Sequence, residues 1–318
     1  MIDVVISEHE KLSDAVLKLT LSALKGEQLP EFKAGAHIDV RVNDSIVRQY
    51  SICSAASAKD AYSIAVLNDP NSRGGSMHIH REFKAGQIVQ ISAPRNLFEL
   101  GEHSAPVLLI GAGIGITPLL SMGYTLAERG QDFTICYLHK PAEHVAFQSE
   151  LLSEPFAGKS VLIPAVNRQT TRQQLKSLIG EYQDGQHVYT CGPAGFMELV
   201  FELADVQNWP SQSLHKEMFQ NDVDNSTDAD KSFTLHLTKS ACSVQVSAEQ
   251  TALEALDEAG IEIDASCEQG VCGTCLLKVV DGKVDHRDAY LTEEEKRLHN
   301  QFTPCCSRAL SSSLSIEL

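Results

Sequence analysis

The stretch "SCEQGVCGTC", residues 266–275, places three thiols, Cys267, Cys272 and Cys275, on one short loop, and "FTPCCSRA" offers a fourth at Cys305 or Cys306. Thiols so crowded serve disulfides, a zinc ion or an iron–sulfur cluster. A disulfide framework is not expected. The chain has nine cysteines, but its start, "MIDVVISEHEKLSD", lacks the basic opening and apolar core of an export signal, which points to the reducing cytoplasm. Zinc sites built from four cysteines usually carry two separate C-x2-C pairs, whereas "PCCSRA" supplies no second pair. The order C-x4-C-x2-C, then x29 to Cys305, is the spacing by which one loop gives a [2Fe–2S] cluster three thiolates and a distant segment gives the fourth. Gly270 and Gly273 suit such a loop, because backbone N–H groups without a side chain nearby approach the sulfurs closely. A one-electron centre of this kind needs a donor.

Two further regions have the chemistry of one. In "VRQYSICS", alternation puts Arg48 and Tyr50 on one strand face and Ser51 on the other. "NSRGGSMHIH" has Gly74 and Gly75 followed by Ser76 at a place where a helix can begin. Backbone N–H groups at such a turn cradle an anion, and a guanidinium forks onto phosphate oxygens, so Arg48, Gly75 and Ser76 together suit a phosphate. Singly, an Arg and a Tyr on a strand describe an ordinary solvated face.

"VLLIGAGIGITPLLSM" sets Gly111, Gly113 and Gly115 between an apolar strand and a helix. It is not the dinucleotide fingerprint: the sixth position is Ile116, and the next strand, "FTICYLHK", ends without the acid that binds ribose. On the bare motif the glycines make a tight turn. No base lies in sequence near Cys191 of "YTCGPAGFM", so that thiol is expected to pack and position rather than attack.

These residues need three kinds of element to hold them. Residues 1 to about 100 alternate in short stretches ("HIDVRV", "AYSIAVL", "QIVQISA"), which predicts an antiparallel barrel or sandwich. From "APVLLIGAG" onward, buried apolar strands alternate with helices, which predicts an α/β unit with a parallel sheet. "QNDVDNSTDAD", Gln220 to Asp230, reads as an exposed linker, and six of the nine cysteines follow it. The expected boundaries are 1–102, 103–222, a linker at 223–231, and 232–318. Past the linker, "FTLHLTKSACSVQVSA" predicts a hairpin, "TALEALDEAG" a helix ended by Gly260, and "LLKVVDGKV" a second hairpin.

A net charge of −16 argues against nucleic acid, whose phosphates it would repel. No apolar run approaches the roughly 20 residues that span a membrane.

The quoted motifs resemble the phthalate dioxygenase reductase family, within the wider ferredoxin-reductase flavoproteins, and most nearly its vanillate O-demethylation branch. The C-terminal part resembles a plant-type ferredoxin. The resemblance implies a flavin-binding antiparallel β-barrel, an α/β parallel-sheet nicotinamide domain and a C-terminal β-grasp ferredoxin domain. It implies FMN held by Arg48, Tyr50 and Ser51 with Gly74, Gly75 and Ser76; that second element is an inexact match, because Ser76 follows the glycine pair directly. It places NADH against Gly111, Gly113, Gly115, Thr117, Cys191, Gly192 and Pro193, with Phe219 of "LHKEMF" near the flavin face. The family's ligand is followed by one residue and then Ser-Arg-Ala, which selects Cys305 over Cys306. After "TICYL" come His139 and Lys140 and no arginine before Arg168, which leans the cofactor choice to NADH over NADPH. The implied activity is transfer from NADH through FMN and the cluster to a Rieske-type non-haem iron oxygenase acting on an aromatic or quaternary-ammonium compound. The rival readings are a self-contained flavin/iron–sulfur oxidoreductase and a non-catalytic metal scaffold.

Overall fold

The computed structural model describes residues 1–25, 27–70, 72, 74–141, 144–220 and 230–318. The expected linker at 223–231 therefore lies almost wholly outside the described residues. The chain divides into two compact units, Met1–Phe219 and Gln220–Leu318, so the two expected N-terminal domains fall within one unit.

The first unit holds two sheets. Strands β1 (Ile2–Lys11), β2 (Val16–Ala23), β3 (His37–Arg41), β4 (Val47–Ser51), β5 (Ala61–Leu67) and β6 (Ile88–Ile91) form an antiparallel sheet in the order β4-β3-β6-β1-β2-β5. A bridge between Ile52 and Ile64 joins its two edges, so the sheet closes into a barrel. Alternation fills the interior: Val4, Ile6, Leu19, Leu21, Ile38 and Val40 are all buried in one core. Helix α1 (Gly75–Glu82) follows β5, and its Ile79 joins that core.

The second sheet is parallel, in the order β11-β10-β7-β8-β9, made by β7 (Val107–Ala112), β8 (Phe133–His139), β9 (Ser160–Pro164), β10 (His187–Cys191) and β11 (Leu214–Glu217). Helices α2 (Ile116–Glu128), α3 (Gln148–Leu151), α4 (Arg168–Ile179) and α5 (Ala194–Val206) connect these strands. Every residue of β7 is buried, as a central strand covered on both faces must be. One apolar core joins barrel residues Ala34, Cys53 and Ala65 to Leu109, Leu119 and Ile135 of the parallel-sheet part. A clasp adds to it: Lys18 Nζ of β2 lies 2.9 Å from Glu150 Oε2 of α3, and Tyr124 Oη of α2 donates to Glu150 Oε1 at 2.8 Å.

The second unit builds a sheet in the order β13-β12-β18-β14-β16 from β12 (Phe233–Leu237), β13 (Cys242–Val246), β14 (Leu277–Asp281), β16 (Gln301–Phe302) and β18 (Ser313–Ile316). Helix α6 (Ala252–Glu258) begins on a capping box between Thr251 and Glu254 and packs Ala252, Ala255 and Leu256 against Phe233, Leu235 and Ile316. That is the β-grasp arrangement. The second expected hairpin is not formed. Strand β15 (Val284–Asp285) pairs with β17 (Arg308–Ala309) instead of folding back on β14. A "DG" pair does mark the turn, but β14 already has β18 and β16 on its two sides, so no edge is left for β15. Helix α7 (Glu293–Leu298) follows. Among the described residues no helix is long and apolar enough to cross a membrane.

Candidate functional site

Arg48, Tyr50 and Ser51 lie on β4 at the barrel edge. Tyr50 packs against the barrel core, and burial pushes its phenol up, opposed by the Arg48 guanidinium. Ser51, buried on the opposite strand face, leaves the barrel interior. Gly74 precedes α1 with a left-handed φ of 85°, which a side chain would strain, and no side chain caps the helix. Gly75 opens the helix directly beneath Arg48: a Cβ there would come 2.8 Å from Arg48 Cγ. Ser76 Oγ donates to Ser72 Oγ at 3.0 Å and accepts the Asp69 N–H at 3.4 Å. Strand β4 and the start of α1 thus bring a guanidinium and a helix N-terminus to one place, which suits a phosphate. The residues fit a flavin phosphate on that cradle.

At the C-terminal ends of the parallel strands, Gly111 is the last residue but one of β7, and Gly113 to Gly115 form one 3-10 turn into α2. The turn needs glycine at its end, since a Cβ on Gly115 would lie 2.4 Å from Cys191 O. Thr117 is buried in the first turn of α2, and its hydroxyl is committed to Ile114 O at 2.9 Å. Cys191 ends β10, with Gly192 next and Pro193 preceding α5. Burial holds the Cys191 thiol well above its ordinary value, which leaves it un-ionised. Phe219 packs half-buried against the core shared by the two sheets.

Sequence reasoning missed Glu217. It ends β11 in register with Cys191, and Ser51 Oγ of the barrel donates to its Oε2 at 3.5 Å. Burial raises its carboxyl to about 8, with the Ser51 hydrogen bond pulling the other way. Three residues from three strands (Ser51, Cys191 and Glu217) therefore meet where barrel and parallel sheet adjoin. The only sequence signal was an acid directly before the apolar pair Met218-Phe219 in "LHKEMF".

In the second unit the four expected ligands come together as two pairs. The Cys267 thiol hydrogen-bonds Cys272, whose pKa falls to about 5 chiefly for that reason; the same contact raises Cys267. The Cys305 thiol likewise hydrogen-bonds Cys275, lowering Cys275 and raising Cys305. Backbone N–H groups of Gln269 and Thr274 point at Cys267 Sγ and Cys272 Sγ, at 3.4 and 3.5 Å. The loop needs its glycines: Gly270 and Gly273 have φ of 71° and 68°, and a Cβ on Gly273 would sit 2.3 Å from the Tyr290 ring. Among the described residues no three His, Cys, Asp or Glu side chains converge on a single metal position. A two-iron cluster takes one thiol pair per iron, so the arrangement fits the cluster. Cys306 Sγ also contacts the Cys305 thiol, which lowers its pKa, and lies 3.5 and 3.8 Å from the hydroxyls of Thr303 and Ser307.

Comparison with known proteins agrees with these parts. Residues 235–310 match the 2Fe-2S iron-sulfur cluster binding domain, and residues 3–100 match the oxidoreductase FAD-binding domain. The chain is 42% identical over 318 residues to the vanillate O-demethylase oxidoreductase of a Pseudomonas strain, HR199, covering 100% of both chains. It is 36% identical over 322 residues to the carnitine monooxygenase reductase subunit of Escherichia coli K12, covering 100% of this chain and 98% of that one. The solved structure of phthalate dioxygenase reductase, described as modular for electron transfer from pyridine nucleotides to [2Fe–2S], superposes with a TM-score of 0.80 at 34% identity, over 100% of this chain and 98% of that one. With relatives of that identity along its whole length, a barrel of the flavin type and paired thiols in a β-grasp unit, the chain belongs to the phthalate dioxygenase reductase family of flavin and [2Fe–2S] oxidoreductases.

Proposed function

We propose that this chain is the NADH-dependent reductase component of a two-component Rieske-type oxygenase in the cytoplasm, with vanillate O-demethylation as the first candidate. The observation that carries it is the pairing of Cys267 with Cys272 and of Cys275 with Cys305, on a chain that also holds the Arg48–α1 cradle. The domain limits we assign are 1–102 for FMN, 103–222 for NADH and 232–318 for the cluster. When bound, the flavin accepts a hydride and gives electrons up singly, and the cluster carries them one at a time.

The chain's own residues bind, orient and hold protons. Arg48, Gly74, Gly75 and Ser76 hold the FMN phosphate, Tyr50 lies along the ribityl and ring, and Ser51 sits at the reactive edge. Gly111, Gly113 and Gly115 let the NADH pyrophosphate approach the start of α2. Thr117, Cys191, Gly192 and Pro193 shape the nicotinamide pocket, with Phe219 near the flavin face. Glu217, neutral at pH 7 with its carboxyl raised to about 8, keeps a buried negative charge away from the place where the hydride arrives, and holds a proton beside Ser51. Cys267, Cys272, Cys275 and Cys305 ligate the cluster. FMN rather than FAD is supported by family resemblance, and the mass of the flavin released on denaturation decides it.

The vanillate assignment is supported by 42% identity to a vanillate O-demethylase oxidoreductase against 36% to a carnitine monooxygenase reductase subunit. A carnitine-type oxygenase is the second reading. From Asp230 to Leu318 the chain has fifteen Asp or Glu against eight Lys or Arg, an acidic surface suited to steering onto a basic oxygenase. Turnover should then weaken as salt rises. The test is NADH-dependent conversion of vanillate to protocatechuate and formaldehyde with a vanillate oxygenase component. Coupled product supports the reading; cytochrome c reduction without product redirects it to another oxygenase.

A further inference from the structure

Behind the second cysteine segment lies a polar network that the electron path does not use. The Asp288 side chain is fully shielded from solvent (0% exposed). Its Oδ2 accepts the Leu291 N–H at 2.8 Å, and its Oδ1 accepts the hydroxyls of Ser307 and Thr303 at 3.3 and 3.4 Å. Those hydroxyls, 2.7 Å apart, are the ones that touch Cys306, the neighbour of the ligand Cys305. Asp288 also borders the cluster loop: Ala289 donates its N–H to Gly270 O at 3.0 Å, and a Cβ on Gly270 would lie 3.0 Å from Asp288 Cα.

A buried carboxylate needs a counter-charge or full hydrogen bonding. Asp288 takes its hydrogen bonds from Leu291, Ser307 and Thr303, and His286 is placed to add a counter-charge when it is protonated. The His286 side chain is 6% exposed, with Nδ1 at ion-pair distance, 3.5 Å, from Asp288 Oδ1, and neither ring nitrogen has a geometric hydrogen-bond partner among the described residues. The other groups that face it are His299 and Lys296. His299 stacks on it at 5.5 Å but is committed, since its Nδ1 accepts the Val284 N–H at 3.3 Å. Lys296 pairs with Glu293 at 3.4 Å, and Arg287 turns to Asp230 and Asp285.

We propose that His286 and Asp288 form a proton-accepting pair coupled to the cluster, so that His286 binds a proton more tightly once the cluster has gained an electron. The inference rests on the cluster reading given under Proposed function. One electron reaches the cluster from the flavin; one proton from solvent adds to the Nε2 lone pair of His286, while Nδ1–H faces Asp288. The added negative charge and the Asp288 carboxylate both favour the imidazolium. Burial opposes it and keeps the ring neutral while the cluster is oxidised. Proton affinity is therefore higher in the reduced state, and the cluster's midpoint potential rises as pH falls.

The test is a redox titration of the full holoprotein, followed by the electron paramagnetic resonance of the reduced cluster, from about pH 5 to about pH 9, which brackets histidine titration. A tenfold difference in proton affinity between the two states gives wild type a midpoint about 59 mV higher on the acid plateau than on the alkaline one. His286→Gln flattens that dependence while iron content and the resonance signal stay as in wild type. Asp288→Asn shrinks the dependence and raises the alkaline midpoint. A pH-independent wild-type midpoint, or a wild-type slope retained in His286→Gln, overturns the inference. Absence of any cluster signal in wild type overturns the cluster reading itself, which keeps the two failures apart.

Discussion

Glu217→Gln removes an ionisable group while keeping its size and an acceptor for Ser51. Burial raises the Glu217 carboxyl to about 8 in the folded chain, while the unfolded value is about 4.3. The folded state therefore binds one more proton between these values. The stability this contributes is fully present below the unfolded pKa and is lost as pH rises through the folded pKa. The gap of roughly 3.7 units, at about 1.4 kcal/mol each, bounds the effect near 5 kcal/mol. Glu217 is only partly buried, and solvent screening trims this to about 2–3 kcal/mol. For a unit of this size that is a shift of roughly 5–10 °C in thermal midpoint. Wild-type and variant holoproteins should unfold together near pH 4, where the carboxyl is protonated in both folded and unfolded chains, and should separate progressively from there up to pH 8. At alkaline pH the variant should be the more stable by that margin. Flavin release on heating reads this directly. Flavin reduction by NADH should slow in wild type above pH 8 and stay level in Glu217→Gln. A melting difference that is constant across pH would refute both the burial of this carboxyl and its protonation at neutral pH.

Other perturbations separate the parts of the site. Arg48→Ala should weaken flavin binding about 10- to 100-fold, the loss of one charge-assisted phosphate contact, and Arg48→Lys should recover only part of it; fluorescence titration of free flavin measures both. Gly273→Ala should lose cluster occupancy, because its Cβ would lie 2.3 Å from the Tyr290 ring at a φ of 68°; Tyr290→Ala in the same chain relieves the clash but not the backbone strain, so iron content should recover only partly. Cys305→Ser should strip iron and sulfide from the second unit while flavin stays bound, and Cys306→Ser should keep the cluster; equal loss in both would undo the ligand assignment.

How much of this was legible in the sequence follows from the range of the interactions. The three-cysteine loop, the glycines before α2 and the Gly74–Ser76 turn are local, so spacing and backbone chemistry reveal them. The closure of the barrel through Ile52 and Ile64 is not, and alternation alone left barrel and sandwich open. Glu217 gains its raised carboxyl from burial, opposed by a hydrogen bond from Ser51, which is 166 residues away in the chain, so no local pattern announces it. Asp288 likewise takes its hydrogen bonds from Thr303 and Ser307, which are distant in the chain. The misread hairpin after β14 shows the converse: a sound turn signal at Gly282 gave way because both sides of β14 were taken by longer-range partners.

The most direct test mixes the anaerobic holoprotein with NADH and follows flavin and cluster absorbance together, in wild type and in Cys305→Ser. In wild type the flavin should bleach first and the cluster after it, within the time of one turnover, with the reduced-cluster resonance appearing in step. In Cys305→Ser the flavin should bleach as before and no electrons should reach an added one-electron acceptor protein. A wild-type flavin that is reduced while its cluster stays oxidised, or a Cys305→Ser chain that feeds the acceptor at the wild-type rate, would contradict an electron path from nicotinamide through flavin to paired thiols.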